Sequence, residues 1–569
     1  MPAEEPSWRG SEDGRQTRPA CGGEISVGAF VQSVAERFGE HEAVVDEHRR
    51  LSYLGLAQRV DTVARALVRA GVRSGSRVAL VMGNTVEFVE SLFAVCAIGA
   101  VAVPINTFAL ADERHWTIAH SDAGTLVTAS EIRGHRYLAD LLAHAPALAG
   151  CGRGELYVPE FPSLRSVVVL GEGGEAPWCS AWEDFLVEGG EVPIGVVDAL
   201  RDAVRPADQG MILYTSGSTD RPKAVVHRQR AFCIQSQRLA ELMRTRPTDR
   251  VWSSLPLFWT AGLVMGLGST MAAGATTVLQ ESFDPPLTLD LLERERVTTI
   301  HAPPHIAARL ADLPDIGQRD LSRLVRMSGR SPLPAVLGRT GNAWDPVGAY
   351  GLSETFAVVT GVPADADPGD RGSSKGPLLP GVRIRIVGPD GDDLPTGEVG
   401  EIAVWSTTMM CGYHKADPGE GFDDRGYVRT KDVGFLDEKG LLHWEGRQTG
   451  IIRTGGVNVS SYEVEIALST WKRVELAHVV GVAHPTLGEE IVALVVPRDE
   501  DPITAEDVLA HLRSTLAAYK VPQRVLFVSV EDFSMTGTDK VRAEGARQLA
   551  ERLLQTGVRP DATGNAAAQ

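Results

Sequence analysis

Residues 214–223 combine side chains that can bind a polyphosphate. A run of hydroxyl and glycine residues leads towards a lysine, in the order Thr215, Ser216, Gly217, Ser218, Thr219 and, after three further residues, Lys223. Oxyanions are bound by several short charge-assisted hydrogen bonds, which hydroxyls, backbone amides and a lysine can supply. The spacing differs from that of a Walker loop. The segment predicts a phosphate-binding loop, and an ordinary polar surface loop is the alternative.

Further segments match, in the same order, the motifs of a known family. They read YGLSE at 350–354, GEVGE at 397–401, TKD at 430–432, GRQTGIIRTGGVNVSSYE at 446–463 and TGTDK at 536–540. Together with the 214–223 loop they resemble the adenylate-forming superfamily of acyl-CoA synthetases, peptide-synthetase adenylation domains and beetle luciferases. The resemblance covers nearly the whole chain. It implies an enzyme that activates an acid with ATP.

The resemblance implies a nucleoside site built from two distant segments. Tyr350 would stack on adenine, with Gly351 and Ser353 beside the nucleotide in the same segment. Asp432 would accept both ribose hydroxyls, and Arg447 would support the ribose or phosphate side. Hydrogen bonds to an ionised group of this kind contribute about 1.5 to 3 kcal/mol each.

It also implies the groups that act on the phosphates. Glu354, together with the Thr215 hydroxyl, would hold Mg²⁺, a hard cation that prefers oxygen ligands. Lys223 would bind phosphate oxygens. Lys540 would neutralise charge while the acid attacks the α-phosphorus and pyrophosphate leaves, because phosphoryl transfer depends mainly on positioning and electrostatic stabilisation. Glu354, Lys223 and Lys540 are therefore the predicted catalytic residues.

A second half-reaction follows from the same resemblance. In the family a small C-terminal domain rotates about a residue two positions after the arginine, here Thr449, so that one site serves both steps. A thiol then displaces AMP. The predicted acceptor is CoA or the thiol of a carrier protein, and residues 455–456 would line its path.

The acid side departs most from the family pattern. Trp259 follows a Pro-Leu-Phe segment where many acyl-CoA synthetases have histidine, which predicts a bulky wall beside the acid or thiol. Residues 328–333 read SGRSPL where the family has a Gly/Ala-rich SGGAPL. Arg330 thereby adds a guanidinium that is a candidate to bind a second anionic group of the acid, next to Gly329 in the predicted acid site. Gly348 and Ala349 complete the predicted acid site. A Trp259 packed in the core and an Arg330 facing solvent are the alternatives.

Other departures leave more than one function open. Asp220 and Lys431 stand where glycine is typical, and Thr449 lacks the usual charge. The leading hypothesis is a ligase for a small, medium or aromatic acid. The alternatives are activation of an unusual acid such as nitrite without a CoA step, a luciferase-like oxidation, and a non-catalytic ATP-binding homologue.

Composition excludes several classes of partner. The chain of 569 residues has 56 basic and 74 acidic residues and a formal charge of −18, which does not fit a nucleic-acid-binding surface. Its six cysteines lack metal-ligand spacing, which indicates reduced thiols in the cytoplasm.

The uncharged stretch 251–280 is interrupted by Pro and Gly, so we expect a strand, a loop, a buried helix and a strand, and no membrane anchor.

Hydrophobic patterning predicts the elements that must position these residues. Strand, helix and strand patterns at 78–82, 84–98 and 100–105 form a βαβ unit, with Asn84 as the helix N-cap, and 298–327 repeats the pattern. Short alternating strands from Val382 predict an antiparallel or barrel-like piece. A compact α+β unit follows Arg447.

The predicted fold class is α/β, with a large N-terminal domain of αβ-layered subdomains plus the barrel-like piece and a small mobile C-terminal domain. The predicted ranges are a disordered leader at 1–22, the adenylating domain at 23–448, the lid domain at 449–555 and a disordered tail at 556–569. Composition and motifs leave the oligomeric state open.

Overall fold

A computed structural model describes most of the chain. The described residues are 25–215, 221–328, 331–339, 348–366, 374–447, 450–454, 457–484, 487–498, 503–516, 518–533, 541 and 543–556. The predicted leader, the predicted tail from residue 557 on and the predicted domain boundary at 448–449 lie outside them.

The first part of the chain alternates helices and strands. In order these are α1 Val27–Phe38, β1 Glu42–Val45, β2 Arg50–Ser52, α2 Tyr53–Arg69, β3 Arg77–Val81, α3 Val86–Ala97, β4 Val101–Pro104, α4 Ala111–His120, β5 Thr125–Ala129, α5 Tyr137–His144, β6 Ser166–Leu170, β7 Ser180–Ala181, α6 Trp182–Gly189, α7 Ile194–Ala203 and β8 Gln209–Thr215.

The middle part adds a second α/β unit and then turns to strands. Its elements are β9 Lys223–Arg228, α8 Gln229–Leu242, β10 Arg250–Ser253, a π-helix at Gly262–Gly268, α9 Ser269–Ala273, β11 Thr276–Val278, α10 Pro285–Arg294, β12 Thr299–His301, α11 Pro304–Ala311, α12 Leu333–Val336, β13 Ala349–Leu352, β14 Ala357–Gly361, β15 Val382–Val387, β16 Gly400–Ser406, β17 Gly412–Tyr413, β18 Val428–Leu436 and β19 Leu442–Arg447.

The last part forms the small α+β domain. Its elements are β20 Ile451–Thr454, β21 Val457–Ser460, α13 Ser461–Ser469, β22 Val474–His484, β23 Gly488–Pro497, α14 Ala505–Thr515, β24 Arg524–Phe527 and α15 Ala543–Thr556. The Ser460 side chain caps α13, as its hydroxyl accepts the Glu463 amide.

Two mostly parallel sheets enclose a layer of helices. One has the order β17-β9-β8-β4-β3-β5-β6-β7 and the other β12-β10-β11-β1-β2. Alternate residues of β3 face opposite sides, so that Leu80 joins the core under α1, α2, α3 and α8, whereas Val81 joins the core on the other face. The layered α/β class predicted from the sequence is confirmed.

The strands after Val382 form an open antiparallel sheet. Its order is β15-β16-β18-β19, and within the described residues it does not close into a barrel. The antiparallel prediction is therefore right, and a barrel is not formed. The C-terminal sheet, β21-β20-β23-β22 with β24 beside β23, has α13 and α14 packed on one face and α15 on the other.

Two local predictions need correction. Thr85, and not Asn84, caps α3, because its hydroxyl accepts the Phe88 amide. The stretch 324–327 forms only an isolated bridge between Arg326 and Thr299 rather than a strand. The uncharged stretch 251–280 folds as predicted, from β10 through the helical turns to β11. Among the described helices, none is long and apolar enough to cross a membrane.

Candidate functional site

The ends of the predicted phosphate loop are held by a strand pair. In the antiparallel pairing of β8 with β9, Thr215 and Lys223 are direct partners. Residues directly opposite each other on such strands have Cβ atoms about 5 Å apart. The predicted metal hydroxyl and the predicted phosphate cation therefore lie side by side. Ser216, Gly217, Ser218, Thr219 and Asp220 lie outside the described residues.

Lys223 contacts two further side chains, Glu420 and Tyr413. Its Nζ lies 3.0 Å from Oε1 of Glu420 and 4.5 Å from the centre of the Tyr413 ring. Both charged side chains of the ion pair are more than one third exposed, so solvent screens their attraction. A phosphate can therefore replace Glu420 at little cost.

Tyr413 connects this lysine to Glu354. Its hydroxyl donates a hydrogen bond of 2.8 Å to Oε1 of Glu354. Burial, and then the Glu354 charge, raise the pKa of the Tyr413 hydroxyl, which keeps it protonated as a donor. Sequence reasoning missed this residue, because its strand is only two residues long and carries no charge. Two of the predicted catalytic residues thus contact one tyrosine, Lys223 at its ring and Glu354 at its hydroxyl.

The turn that carries Glu354 is fixed through its carbonyl groups. The Glu354 carbonyl accepts from the amide of Met410 at 2.7 Å, and that of Thr355 accepts from the hydroxyl of Thr408 at 2.8 Å. The Ser353 carbonyl accepts from Nε2 of His227 at 2.8 Å. Three consecutive carbonyls are therefore held by surrounding elements.

His227 is a buried neutral imidazole at this turn. Its side chain is fully enclosed, and burial lowers its pKa to about 3. Because a carbonyl only accepts, the proton must be on Nε2. Within the described residues Nδ1 has no hydrogen-bond partner. The imidazole acts as a fixed donor to Ser353.

The backbone around Gly351 permits only a small residue. A Cβ at this position would lie 1.9 Å from the carbonyl oxygen of Ala357, so β13 and β14 could not pair as they do. The next turn is strained, since Phe356 and Ala357 both have positive φ, at 56° and 80°. Strain of this kind is concentrated at functional sites.

The two predicted nucleoside residues contact each other. The Tyr350 hydroxyl donates a hydrogen bond of 2.7 Å to Oδ2 of Asp432, whose side chain is 2% exposed. Asp432 is also the strand partner of Arg447 in the pairing of β18 with β19. An ionised carboxylate has about four lone-pair positions, so more than one donor can share it. A carboxylate acceptor fits the hydroxyl donors of a ribose.

Lys431, which precedes Asp432, adopts an unfavourable conformation. Its φ is 60°, in the left-handed region, and its amide donates to Oε1 of Glu401 at 3.0 Å. Glycine reaches this region without steric cost. This backbone conformation explains why glycine is typical of the family at this position. Lys431 adopts the same conformation with strain.

The Glu354 carboxylate fits a magnesium ion that is held mainly by a nucleotide. Within the described part of the chain, no three His, Cys, Asp or Glu side chains form a group that could hold a metal. Mg²⁺ is typically bound through one or two carboxylates together with phosphates and water. The half-buried Glu354, whose Oε1 is held by Tyr413, provides such a carboxylate.

Trp259 belongs to a separate aromatic group. The Phe258 ring lies 5.1 Å from the Trp259 ring, and the Phe108 ring lies 5.4 Å from Phe258 and 6.2 Å from Trp259, all at steep angles. Phe108 is 57% exposed and Trp259 is half-buried. The Asn84 amide group holds the segment from both sides, as it donates to the Leu255 carbonyl and accepts the Leu257 amide.

The remaining predicted acid and lid residues are only partly described. Gly348 and Ala349 lead into β13, and the Gly348 carbonyl accepts the Val362 amide at 2.9 Å. Gly329 and Arg330 lie outside the described residues, as do Lys540, Thr449 and residues 455–456. The structure thus joins Lys223 to Glu354 through Tyr413, and Tyr350 to Asp432.

Family models match most of the chain. The model described as AMP-binding enzyme matches residues 31–414, and the model described as AMP-binding enzyme C-terminal domain matches residues 463–540. The two matches follow each other in the order of the large and the small domain.

Relatives and solved structures match over nearly their full lengths. The chain is 32% identical to an octahydroindenyl-propanoyl:CoA ligase of Rhodococcus jostii, over 88% of this chain and 94% of the relative. It is also 32% identical to the indoleacetate–CoA ligase of Aromatoleum aromaticum, over 89% and 94%. The crystal structure of ATP-bound MatB from Rhodopseudomonas palustris superposes with a TM-score of 0.74 at 26% identity, over 93% of this chain and all of that one.

Proposed function

The chain belongs to the AMP-binding enzyme family, and from this premise we propose that it is an ATP-dependent acid–thiol ligase. It adenylates a carboxylic acid with release of pyrophosphate and then transfers the acyl group to CoA. The observation that carries the proposal lies at the end of the predicted phosphate loop, where Lys223 contacts the ring of Tyr413 and Glu354 accepts from the hydroxyl of the same residue.

Asp432 and Tyr350 are the proposed nucleoside residues. The Tyr350 hydroxyl orients the Asp432 carboxylate, which accepts the ribose hydroxyls. Tyr350 is itself 8% exposed, and a stacked adenine would cover the part of its ring that is accessible. Arg447, the strand partner of Asp432, supports the same end of the nucleotide.

Lys223, Glu354 and Lys540 are the proposed groups at the phosphates. Lys223 leaves Glu420 and binds a phosphate oxygen, because a polyphosphate presents more negative charge than one exposed carboxylate. Glu354, with Thr215, would hold Mg²⁺, which neutralises phosphate charge when bound. Lys540 stabilises the charge that develops at the α-phosphate as the acid oxygen attacks.

The proposed acid carries a ring. The two relatives named above are CoA ligases for an indole acid and an octahydroindenyl acid, and each is 32% identical to this chain. Phe108, Phe258 and Trp259 form an aromatic cluster, which suits an aromatic ring through edge-to-face contact and a saturated ring through apolar contact. Trp259 is the proposed wall of this site, together with Gly329, Arg330, Gly348 and Ala349.

A pyrophosphate-release screen with and without CoA tests the proposal. We expect release with ring-bearing monocarboxylic acids, conversion of ATP to AMP, and an acyl-CoA product that appears only when CoA is added. Short aliphatic acids, amino acids and nitrite serve as comparison substrates. Pyrophosphate release with nitrite alone, or AMP formation whose product is the same with and without CoA, would contradict the proposal.

A further inference from the structure

Tyr413 contacts both charged side chains on the phosphate side of the site. Its hydroxyl donates to Oε1 of Glu354 at 2.8 Å, and its ring faces Nζ of Lys223 at 4.5 Å. A tyrosine is suited to this double contact, since the hydroxyl is a donor to anions and the ring face attracts cations.

Strand pairing sets the position of the ring relative to Lys223. In the antiparallel pairing of β17 with β9, Tyr413 lies opposite Val225, two residues after Lys223. Residues two apart on a strand face the same side, so Lys223 is the diagonal neighbour of Tyr413. Diagonal neighbours lie within reach when one is aromatic and the other long.

A second set of contacts sets its position relative to Glu354. The amide of Met410, three residues before Tyr413, donates to the Glu354 carbonyl at 2.7 Å. The hydroxyl of Thr408 donates to the carbonyl of Thr355 at 2.8 Å. One segment therefore fixes the backbone that carries Glu354, and its tyrosine fixes the carboxylate.

The hydroxyl contact selects one orientation of the carboxylate. A glutamate side chain has three rotatable bonds, and its last torsion is broad, so an unpaired carboxylate samples many directions. With Oε1 held by Tyr413, the other lone pairs of Glu354 point in fixed directions. A ligand that needs one of those directions then binds without having to order the side chain.

We propose that Tyr413 is a positioning residue for the metal–nucleotide complex, whose hydroxyl orients Glu354 towards Mg²⁺ and whose ring positions Lys223 towards the phosphates. The inference rests on the proposed function in one respect, namely that Glu354 and Lys223 bind MgATP. Tyr413 itself touches neither the phosphates nor the acid in this role. It acts through its two neighbours.

Titration calorimetry of ATP binding, in EDTA and in saturating Mg²⁺, separates the two contacts. Tyr413→Phe removes the hydroxyl and keeps the ring. We expect the enhancement of ATP affinity by Mg²⁺ to be about ten- to hundredfold smaller than in the wild type, the effect of losing one hydrogen bond to a charged group, with metal-free affinity unchanged. Tyr413→Leu also removes the ring, and metal-free affinity should fall about two- to fivefold as well.

Tyr157→Phe is the matched control, because the same atom is removed from a tyrosine that is 72% exposed. It should behave as the wild type in both buffers. If Tyr413→Phe weakens ATP binding equally with and without Mg²⁺, the role is merely structural and the inference is wrong. Unchanged binding in both buffers would overturn it too.

The experiment remains separate from the test of the proposed function. A wild type that binds MgATP but forms no AMP with any acid would contradict the ligase proposal, while the calorimetry of Tyr413→Phe still decides the positioning role. A wild type that does not bind ATP would overturn both.

Discussion

The Tyr350 hydroxyl donates a 2.7 Å hydrogen bond to the Asp432 carboxylate, so residues 82 positions apart in the chain form one polar pair. The two residues reach this contact from separate sheets, β13 with β14 and β18 with its neighbours. Since Asp432 is almost fully buried, the tyrosine compensates part of the cost of enclosing its charge. The pair is the proposed nucleoside end of the site.

Replacing Asp432 should impair ATP binding specifically. Asp432→Ala removes the proposed acceptor of the ribose hydroxyls, and the loss of hydrogen bonds to a charged group predicts an affinity about ten- to hundredfold lower. Calorimetric titration with ATP measures it, and circular dichroism checks the fold. Tyr350→Phe, which keeps the ring, should cost less than tenfold. An Asp432→Ala protein that is folded and binds ATP within twofold of the wild type would exclude the ribose role.

Glu420 should compete with ATP for Lys223. Glu420→Gln removes the 3.0 Å ion pair, whose exposed members contribute about 0 to 1 kcal/mol. ATP affinity should therefore rise by up to about fivefold. Glu398→Gln, at another exposed glutamate, makes the same change in net charge and should leave affinity unaltered. Weaker ATP binding by Glu420→Gln would show that Glu420 assists the nucleotide instead.

Lys431→Gly should stabilise the protein. The lysine has a φ of 60°, a conformation that costs an L-residue about 1 to 2 kcal/mol, whereas glycine costs about 0.5 to 1 kcal/mol in chain entropy. A small rise in the thermal midpoint should follow. Lys439→Gly is the control, since its φ is not positive and the glycine should lower the midpoint. A lower thermal midpoint for Lys431→Gly would show that Lys431 is not strained.

His227 should make stability depend on pH. Burial lowers its pKa to about 3 in the folded protein, whereas an unfolded imidazole titrates near about 6.5. Between these values the unfolded state binds one more proton, so stability is lost as the pH falls, by about 1.4 kcal/mol per unit.

His227→Gln keeps a donor for the Ser353 carbonyl and removes the titrating group. The free energy of unfolding in urea, measured from pH 4 to pH 6, should then depend less steeply on pH than in the wild type, by about 1.4 kcal/mol per pH unit. The difference in this free energy between the two proteins at pH 8 serves as the reference. An unchanged slope would mean that His227 is already protonated in the folded protein or does not contribute.

Local patterns predicted much of the fold. The βαβ unit predicted at 78–105 is observed at Arg77–Val81, Val86–Ala97 and Val101–Pro104, and the interrupted apolar stretch 251–280 has the predicted elements, because both depend on nearby residues. The prediction that Asn84 caps α3 was wrong, because its side chain is held by residues far away in the chain. Its amide is taken by Leu255 and Leu257, more than 170 residues away, and a capping pattern cannot reveal that.

In the candidate site, too, residues in local motifs could be predicted from the sequence, whereas a residue that depends on distant contacts could not. Charged residues in recognisable motifs, such as Lys223, Glu354 and Asp432, could be named from the sequence. Tyr413 could not, because its role depends on the pairing of β17 with β9, some 190 residues earlier in the chain. Nothing in the Gly412-Tyr413 dipeptide indicates that pairing.

The most direct test of the proposed function is acid-dependent exchange of labelled pyrophosphate into ATP by the wild type and by Lys540→Ala. The wild type should catalyse exchange with a ring-bearing acid and none without acid, and Lys540→Ala should lose most of that exchange while still binding ATP. If no acid supports exchange in a wild type that binds MgATP, the chain does not adenylate acids. Full exchange by Lys540→Ala would remove this lysine from the adenylation step.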